Sequence, residues 1–214
     1  MKPSRALATL AVAAMTLGLG ACVTVFPKRP PSQFYSFGTE FPAQQSANAG
    51  APHFNVLRSL TIFTRAAAGD RILTTNGNEA AYIAASQWVS PAAVLFDEAE
   101  SRAFDADSGP ARLVRPGGMS GAGAGLRLEV QTFEARYPGD LKAAPTVIVK
   151  VRATLTSMTD RHVIGDRTFE SKQQVGDNRV GQIVRSFDAA TVDVLSQIVA
   201  WTDSQAAAVT PAAG

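Results

Sequence analysis

The sequence predicts an α+β domain, a mostly antiparallel sheet with two helices packed on one face. Three observations carry this expectation. Leu126, Leu128 and Val130 alternate with Arg127, Glu129 and Gln131, and Val147, Val149, Val151, Ala153 and Leu155 alternate with Ile148, Lys150, Arg152, Thr154 and Thr156. Period-two patterning of this kind gives strands with one buried face. The connection SMTDRH, residues 157–162, is too short for a helical crossover, so HVIGDRTFESKQQV becomes a third, antiparallel strand. Near the C-terminus, Val180, Ile183, Val184, Phe187, Thr191, Val194, Leu195, Ile198 and Trp201 recur at three- and four-residue spacing, the stripe of a long amphipathic helix laid on that sheet. Asp177 or Asn178 is the expected cap of this helix.

The first half is read in the same way. Gln33–Phe37 (QFYSF) is aromatic enough for a short strand. Phe54, Val56, Leu60 and Ile62 alternate as a second strand, with Arg58 out of pattern. In RILTTNGNEAAYIAASQW, Asn76-Gly77 between two apolar runs marks a hairpin turn. Ser90-Pro91 resembles a helix start, a side-chain oxygen to cap followed by a proline whose missing N–H costs nothing at the first position. Val94, Leu95, Ala99 and Phe104 then mark a short amphipathic helix. The order of strand, hairpin, helix, three strands and helix is that of an α+β sandwich.

The N-terminus is a different kind of sequence. Lys2 and Arg5 precede Ala6–Ala21, which carries no charge, and the run ends in Leu19-Gly20-Ala21-Cys22. A basic start, an apolar stretch shorter than a membrane span and a small-residue exit describe an export signal. Leu-Gly-Ala-Cys is similar to a bacterial lipobox, in which the cysteine thiol is acylated and the signal is cut before it. Cys22 is the only cysteine of the chain. It is therefore the expected lipidation site, and no disulfide can form within the chain. The alternatives are a plain secretory signal with an incidental cysteine, or an uncleaved anchor. The expected organisation is a signal peptide at 1–21, a lipidated tether with a short strand at 22–52, the α+β domain at 53–204 and a disordered tail at 205–214. The tether is indicated by Pro27, Pro30, Pro31 and Pro42 and by the polar run QQSANAG.

Lys2 and Arg5 leave with the signal, so the formal charge of +2 falls to neutrality in the mature chain. No dense basic patch appears along the sequence, and nucleic acid is not an expected partner. No catalytic constellation is expected either. His53 and His162, the only two histidines, lie outside any metal-type spacing, so neither a metal nor a cofactor site is predicted. The glycines of GGMSGAGAG, residues 117–125, run into a strand rather than opening a helix, which makes the segment an inter-strand loop and not a phosphate cradle. Asp97, Glu98 and Glu100, with Asp105 and Asp107 beyond, are read as the solvated face of the first helix. Trp201 is expected in the core, and Trp88 is left open between core and binding surface.

Taken together, the segments ending at Cys22, Phe34-Tyr35-Ser36-Phe37, GDRILTTNGNEAAYIAASQWVSPAA, GLRLEVQTFEARYPGD, RTFE and SFDAATVDVLSQIVAW resemble the ABC-type transport auxiliary lipoprotein family, the paraquat-inducible protein C-like group. The tract TRAAAGD departs from the apolar, proline-bearing approach of many relatives. The resemblance implies a non-enzymatic component that faces the periplasm and accompanies an ABC lipid transporter whose periplasmic subunit carries an MCE domain. It also implies docking of that subunit to the outer membrane, towards which Val23, in place of an aspartate after the lipidated residue, leans. A cyclic homo-oligomer is compatible with the family. Competing readings are a lipid carrier with its own groove, a structural or assembly lipoprotein of the envelope, and a hydrolase, for which no nucleophile–base pair is found.

Overall fold

The computed structural model describes residues 31–46, 49–115, 121–205 and 209. The signal segment and Cys22 lie outside the described residues, as does the 116–120 part of the glycine-rich loop. The chain runs β1 (Gln33–Tyr35), β2 (Phe54–Arg58), β3 (Ile62–Phe63), β4 (Arg71–Asn76), β5 (Glu79–Trp88), α1 (Ala92–Ala106), β6 (Ala111–Val114), β7 (Ala124–Tyr137), β8 (Thr146–Ser157), β9 (Val163–Gln174) and α2 (Val180–Ser204). The strands form one mixed sheet with long antiparallel ladders, and the two helices pack on it, as the sequence predicts.

β7 is the spine of this sheet. One side pairs antiparallel with β8, which pairs antiparallel with β9. Its other side is taken up, end to end and in parallel, by three short segments: Val56–Arg58 beside Ala124–Leu126, Ile62-Phe63 beside Glu129-Val130, and Thr74–Asn76 beside Ala135–Tyr137. Beyond these lie β6 next to β2, then β5 next to β4, and β1 next to β5. A bulge at Gln131 changes the phase of β7, because Val130 pairs with Val151 while Thr132 pairs with Lys150. Leu126, Leu128 and Val130 face the helices before it, and Phe133 and Ala135 after it.

Several local expectations change. The strand foreseen over 54–62 breaks in two after Arg58. Leu60 is then 82% exposed rather than buried, since Arg58 turns inward to an ion pair on α1 and the chain leaves the sheet beyond it. The hairpin turn is Gly77-Asn78, one residue later than expected. Asn76 pairs with Glu79 and Gly77 takes the positive φ. Neither helix has a side-chain cap. At α1 the cap residue is Pro91, and the N–H groups of Ala92 and Ala93 donate instead to the carbonyls of Gly69 (2.8 Å) and Ala68 (3.2 Å). The loop thus supplies what Ser90 was expected to supply. At α2 the cap is Arg179. Asn178 is committed to the Tyr137 hydroxyl and the Leu141 carbonyl, and Asp177 to Arg179.

The α2 stripe is buried from Ile183 to Ile198, and burial continues through Thr202 and Asp203. On α1, Leu95, Ala99 and Phe104 are buried, but Val94 is 45% exposed. Between helices and sheet lie Phe37, Trp88, Phe133 and Phe187. Their rings meet edge-on or tilted, at 5.0 Å for Phe37–Trp88, 5.4 Å for Trp88–Phe187 and 4.8 Å for Phe133–Phe187. Trp88 is therefore a core residue. Trp201 is only partly buried, seated over Gly165 and edge-on to Phe169.

Candidate functional site

No described helix is long and apolar enough to cross a membrane. The compact unit begins at Ser32, and residues 33–46 lie along it. β1 pairs in parallel with the end of β5. Phe37 then drops into the aromatic cluster with no exposure at all. Gly38 follows with φ +61°, and a Cβ there would fall 2.4 Å from the Ala99 Cβ. Its N–H donates to Asp188 of α2 at 2.7 Å, and its carbonyl accepts from Arg102 of α1 at 3.1 Å. Further on, the Gln44 N–H donates to the Ala106 carbonyl, its side chain donates to the Ser196 hydroxyl, and its carbonyl accepts from Ser108 N–H. The segment is thus a strap pinned to both helices. Gly38→Ala is expected to destabilise the protein by about 1–3 kcal/mol, because alanine is strained at this positive φ and its Cβ would clash with Ala99. Denaturant midpoints check the magnitude, and limited proteolysis within 33–46 checks the location.

The far end of the strap is held by acids. Ser46 Oγ donates to Asp203 Oδ2 at 2.9 Å, and the Ala111 N–H donates to Asp203 Oδ1 at 2.9 Å. Asp107 accepts from the Gly109 N–H. A Cβ on Gly109 would sit 1.7 Å from Asp203 Oδ2 and 2.5 Å from Asp107 Oδ2, so the two carboxylates crowd the same point and only glycine fits between them. Burial pushes the Asp203 carboxyl up to about 6, with the Ala111 N–H opposing and Asp107 adding to the rise.

A second polar cluster corrects the reading of α1 as simply solvated. Glu100 is only 1% exposed. Arg58 Nε donates to its Oε2 at 2.8 Å, and the other arm of the guanidinium pairs with Asp97. Burial pushes the Glu100 carboxyl up to about 7, against the pull of Arg58. The one sequence signal for this pair was Arg58 breaking the strand alternation. Glu98, by contrast, is exposed and pairs with Arg102 one turn on.

These two buried acids set the pH dependence. Each folded-state pKa lies above its unfolded value, so the folded state holds protons that the unfolded state has released. Stability is then greatest in mild acid and falls as pH rises from about 4 towards 7. Thermal unfolding is expected at a higher temperature at pH 5 than at pH 8, with the gap narrowed by Glu100→Gln together with Asp203→Asn. An unchanged gap in that variant would show the two acids are not its source.

The remaining sequence candidates do not converge. His53 is exposed, and His162 is exposed with Nδ1 2.6 Å from Asp160. Among the described residues, no three His, Cys, Asp or Glu side chains gather as metal ligands.

A family model described as the ABC-type transport auxiliary lipoprotein component matches residues 35–199. The fold is similar to the crystal structure of protein XCC0632 from Xanthomonas campestris, with 20% identity over 81% of this chain and 96% of that one and a TM-score of 0.71. It is also similar to the hypothetical protein CT253 from Chlamydia trachomatis, with 11% identity over 73% of this chain and 99% of that one and a TM-score of 0.51. No curated protein matches in sequence. At these identities the solved structures bear on the fold alone, but the family model spans most of the strap, all of α1, α2 as far as Val199 and strands β2 to β9. The chain belongs to the family of ABC-type transport auxiliary lipoprotein components.

Proposed function

We propose that this protein is a non-catalytic accessory subunit of an MCE/ABC-type lipid transport system. It would be anchored by acylated Cys22 at the outer membrane, face the periplasm and dock the transporter there through its MCE-domain subunit. Membership of a family of transport auxiliary lipoproteins carries the reading. The Leu-Gly-Ala-Cys run ahead of the strap supports the anchor. A strap pinned to both helices suits a protein that must hold its body against a pull from the membrane side. The alternative of a direct lipid carrier is less favoured, because Phe37, Trp88, Phe133 and Phe187 fill the helix–sheet interface that such a carrier would open.

The test is affinity capture from crosslinked cells, comparing the parent protein with Cys22→Ala. Recovery of an MCE-domain protein and its permease with the parent, and their loss with the variant, is the expected result. Recovery of cell-wall or outer-membrane assembly proteins alone would replace this reading with that of a structural lipoprotein.

A further inference from the structure

The sheet face opposite the helices is polar along most of its length but carries one apolar row. Strand register places Val114 beside Leu57, Leu57 beside Gly125, Gly125 beside Thr156 and Thr156 beside Val163, so one line of residues crosses five strands. The neighbours of this row along each strand, Leu113, Val56, Leu126 and Leu155, are packed with the core, so the row itself points away from the helices. Met158 lies back over Gly125, its sulfur 3.3 Å from where a Cβ would stand. A side chain there would press against the methionine, which would have to shift slightly. Val163 is 57% exposed and Met158 46%.

The unpaired charges that flank this row most closely are arginines. Arg127 follows Gly125 by two residues on the same face, Arg112 stands beside Asn55 in the next row, and Arg161 projects from the β8–β9 turn. None of the three has a carboxylate partner among the described residues, and Arg112 donates only to the carbonyls of Gly109 and Ala111. Of the acids close by, Asp166 is engaged by Arg152 and Thr154 and Asp160 by His162, while Glu129 stands a further row away beside Arg152. An apolar strip with methionine at its centre and unpaired arginines at its rim has the composition of a protein interface core and rim.

We infer that this row is the docking surface for the transporter subunit, and that the matching surface on the subunit is apolar at its centre and acidic at its edge. The inference rests on the docking role proposed above and adds to it the place of contact. Charge complementarity fixes the sign of the partner. The apolar side chains stand on strands, with Met158 folded back over Gly125 rather than thrust outward, which suits a preformed protein surface better than insertion into a bilayer.

The test places a photo-crosslinking benzoylphenylalanine at Leu57 or Val163 in the full chain, with Glu98 on α1 as the position on the other face, and identifies adducts formed in cells. Adducts with the ABC transporter's periplasmic subunit from Leu57 and Val163, and none from Glu98, are expected. Reversing the rim with Arg127→Glu and Arg161→Glu should cut their yield about tenfold and leave the unfolding midpoint unchanged, since rim charges steer encounter rather than hold the fold. Adducts with that subunit from Glu98 alone would overturn the surface while leaving the docking role intact. Lipid adducts at Leu57 and Val163 would make the row a membrane contact, and adducts with a second copy a self-association surface; either result overturns the inference. Absence of the subunit from all three positions would remove the docking role and the surface with it.

Discussion

Replacing Arg58 with methionine is expected to lower stability by about 3–5 kcal/mol at pH 8, the cost of leaving a buried carboxylate without its partner. Glu100 is 1% exposed and Arg58 reaches it from a strand 42 positions away in sequence. The expectation has two internal checks. In Arg58→Met with Glu100→Leu, two apolar side chains replace the pair, and most of the loss should be recovered. At pH 5, where the Glu100 carboxyl is protonated, the single substitution should cost much less than at pH 8. Urea unfolding of the three proteins at both pH values reads all of this. A pH-independent loss would mean that packing, not charge, holds the pair in place.

The second large effect belongs to Phe37→Ala, expected to cost about 3–5 kcal/mol. Phe37 is fully buried, with its ring centroid 5.0 Å from both Trp88 and Phe133. Its removal leaves a cavity between rings that are themselves fixed by strands and by α2. Because Phe37 is also the buried centre of the strap, the same substitution should expose residues 33–46 to protease before the body unfolds. Phe34 is the natural control. It lies three residues earlier, is 64% exposed, and Phe34→Ala should change stability by no more than about 0.5 kcal/mol. Equal losses at the two positions would mean that the strap does not bury Phe37 in solution.

What could be read from the sequence was whatever a single repeating period determines. β7, β8, β9 and α2 follow from alternation and from three- and four-residue spacing, because each presents one face to a continuous core. What could not be read was whatever depends on two distant segments meeting. Arg58 advertised itself by breaking a strand pattern, but nothing in the sequence said that Glu100 would be its partner. That knowledge needs α1 laid over the sheet beside β6, which pairs with the β2 strand that carries Arg58. The helix caps failed for the same reason, since the carbonyls of Ala68 and Gly69 belong to a loop brought near by the hairpin. Residues 33–46 carry one proline, Pro42, and the polar Gln44, Gln45 and Ser46 of a linker. Their hold on the helices comes from Phe37 and from hydrogen bonds of Gly38, Gln44 and Ser46, which composition does not reveal. The clustered acids of α1 were legible as acids, but not that one of them is buried while its neighbour is solvated.

The strap also sets a ceiling. In the lipoprotein proposed above, Cys22 and Ser32 are ten positions apart, and about ten residues at full extension span no more than roughly 35 Å. Had residues 33–46 been free as well, that span would have been more than twice as long. An anchor at Cys22, as proposed, would then keep the body within a shallow layer next to the bilayer holding the lipid. Under that proposal, a partner rooted in the opposite membrane would have to bridge most of the intervening space itself.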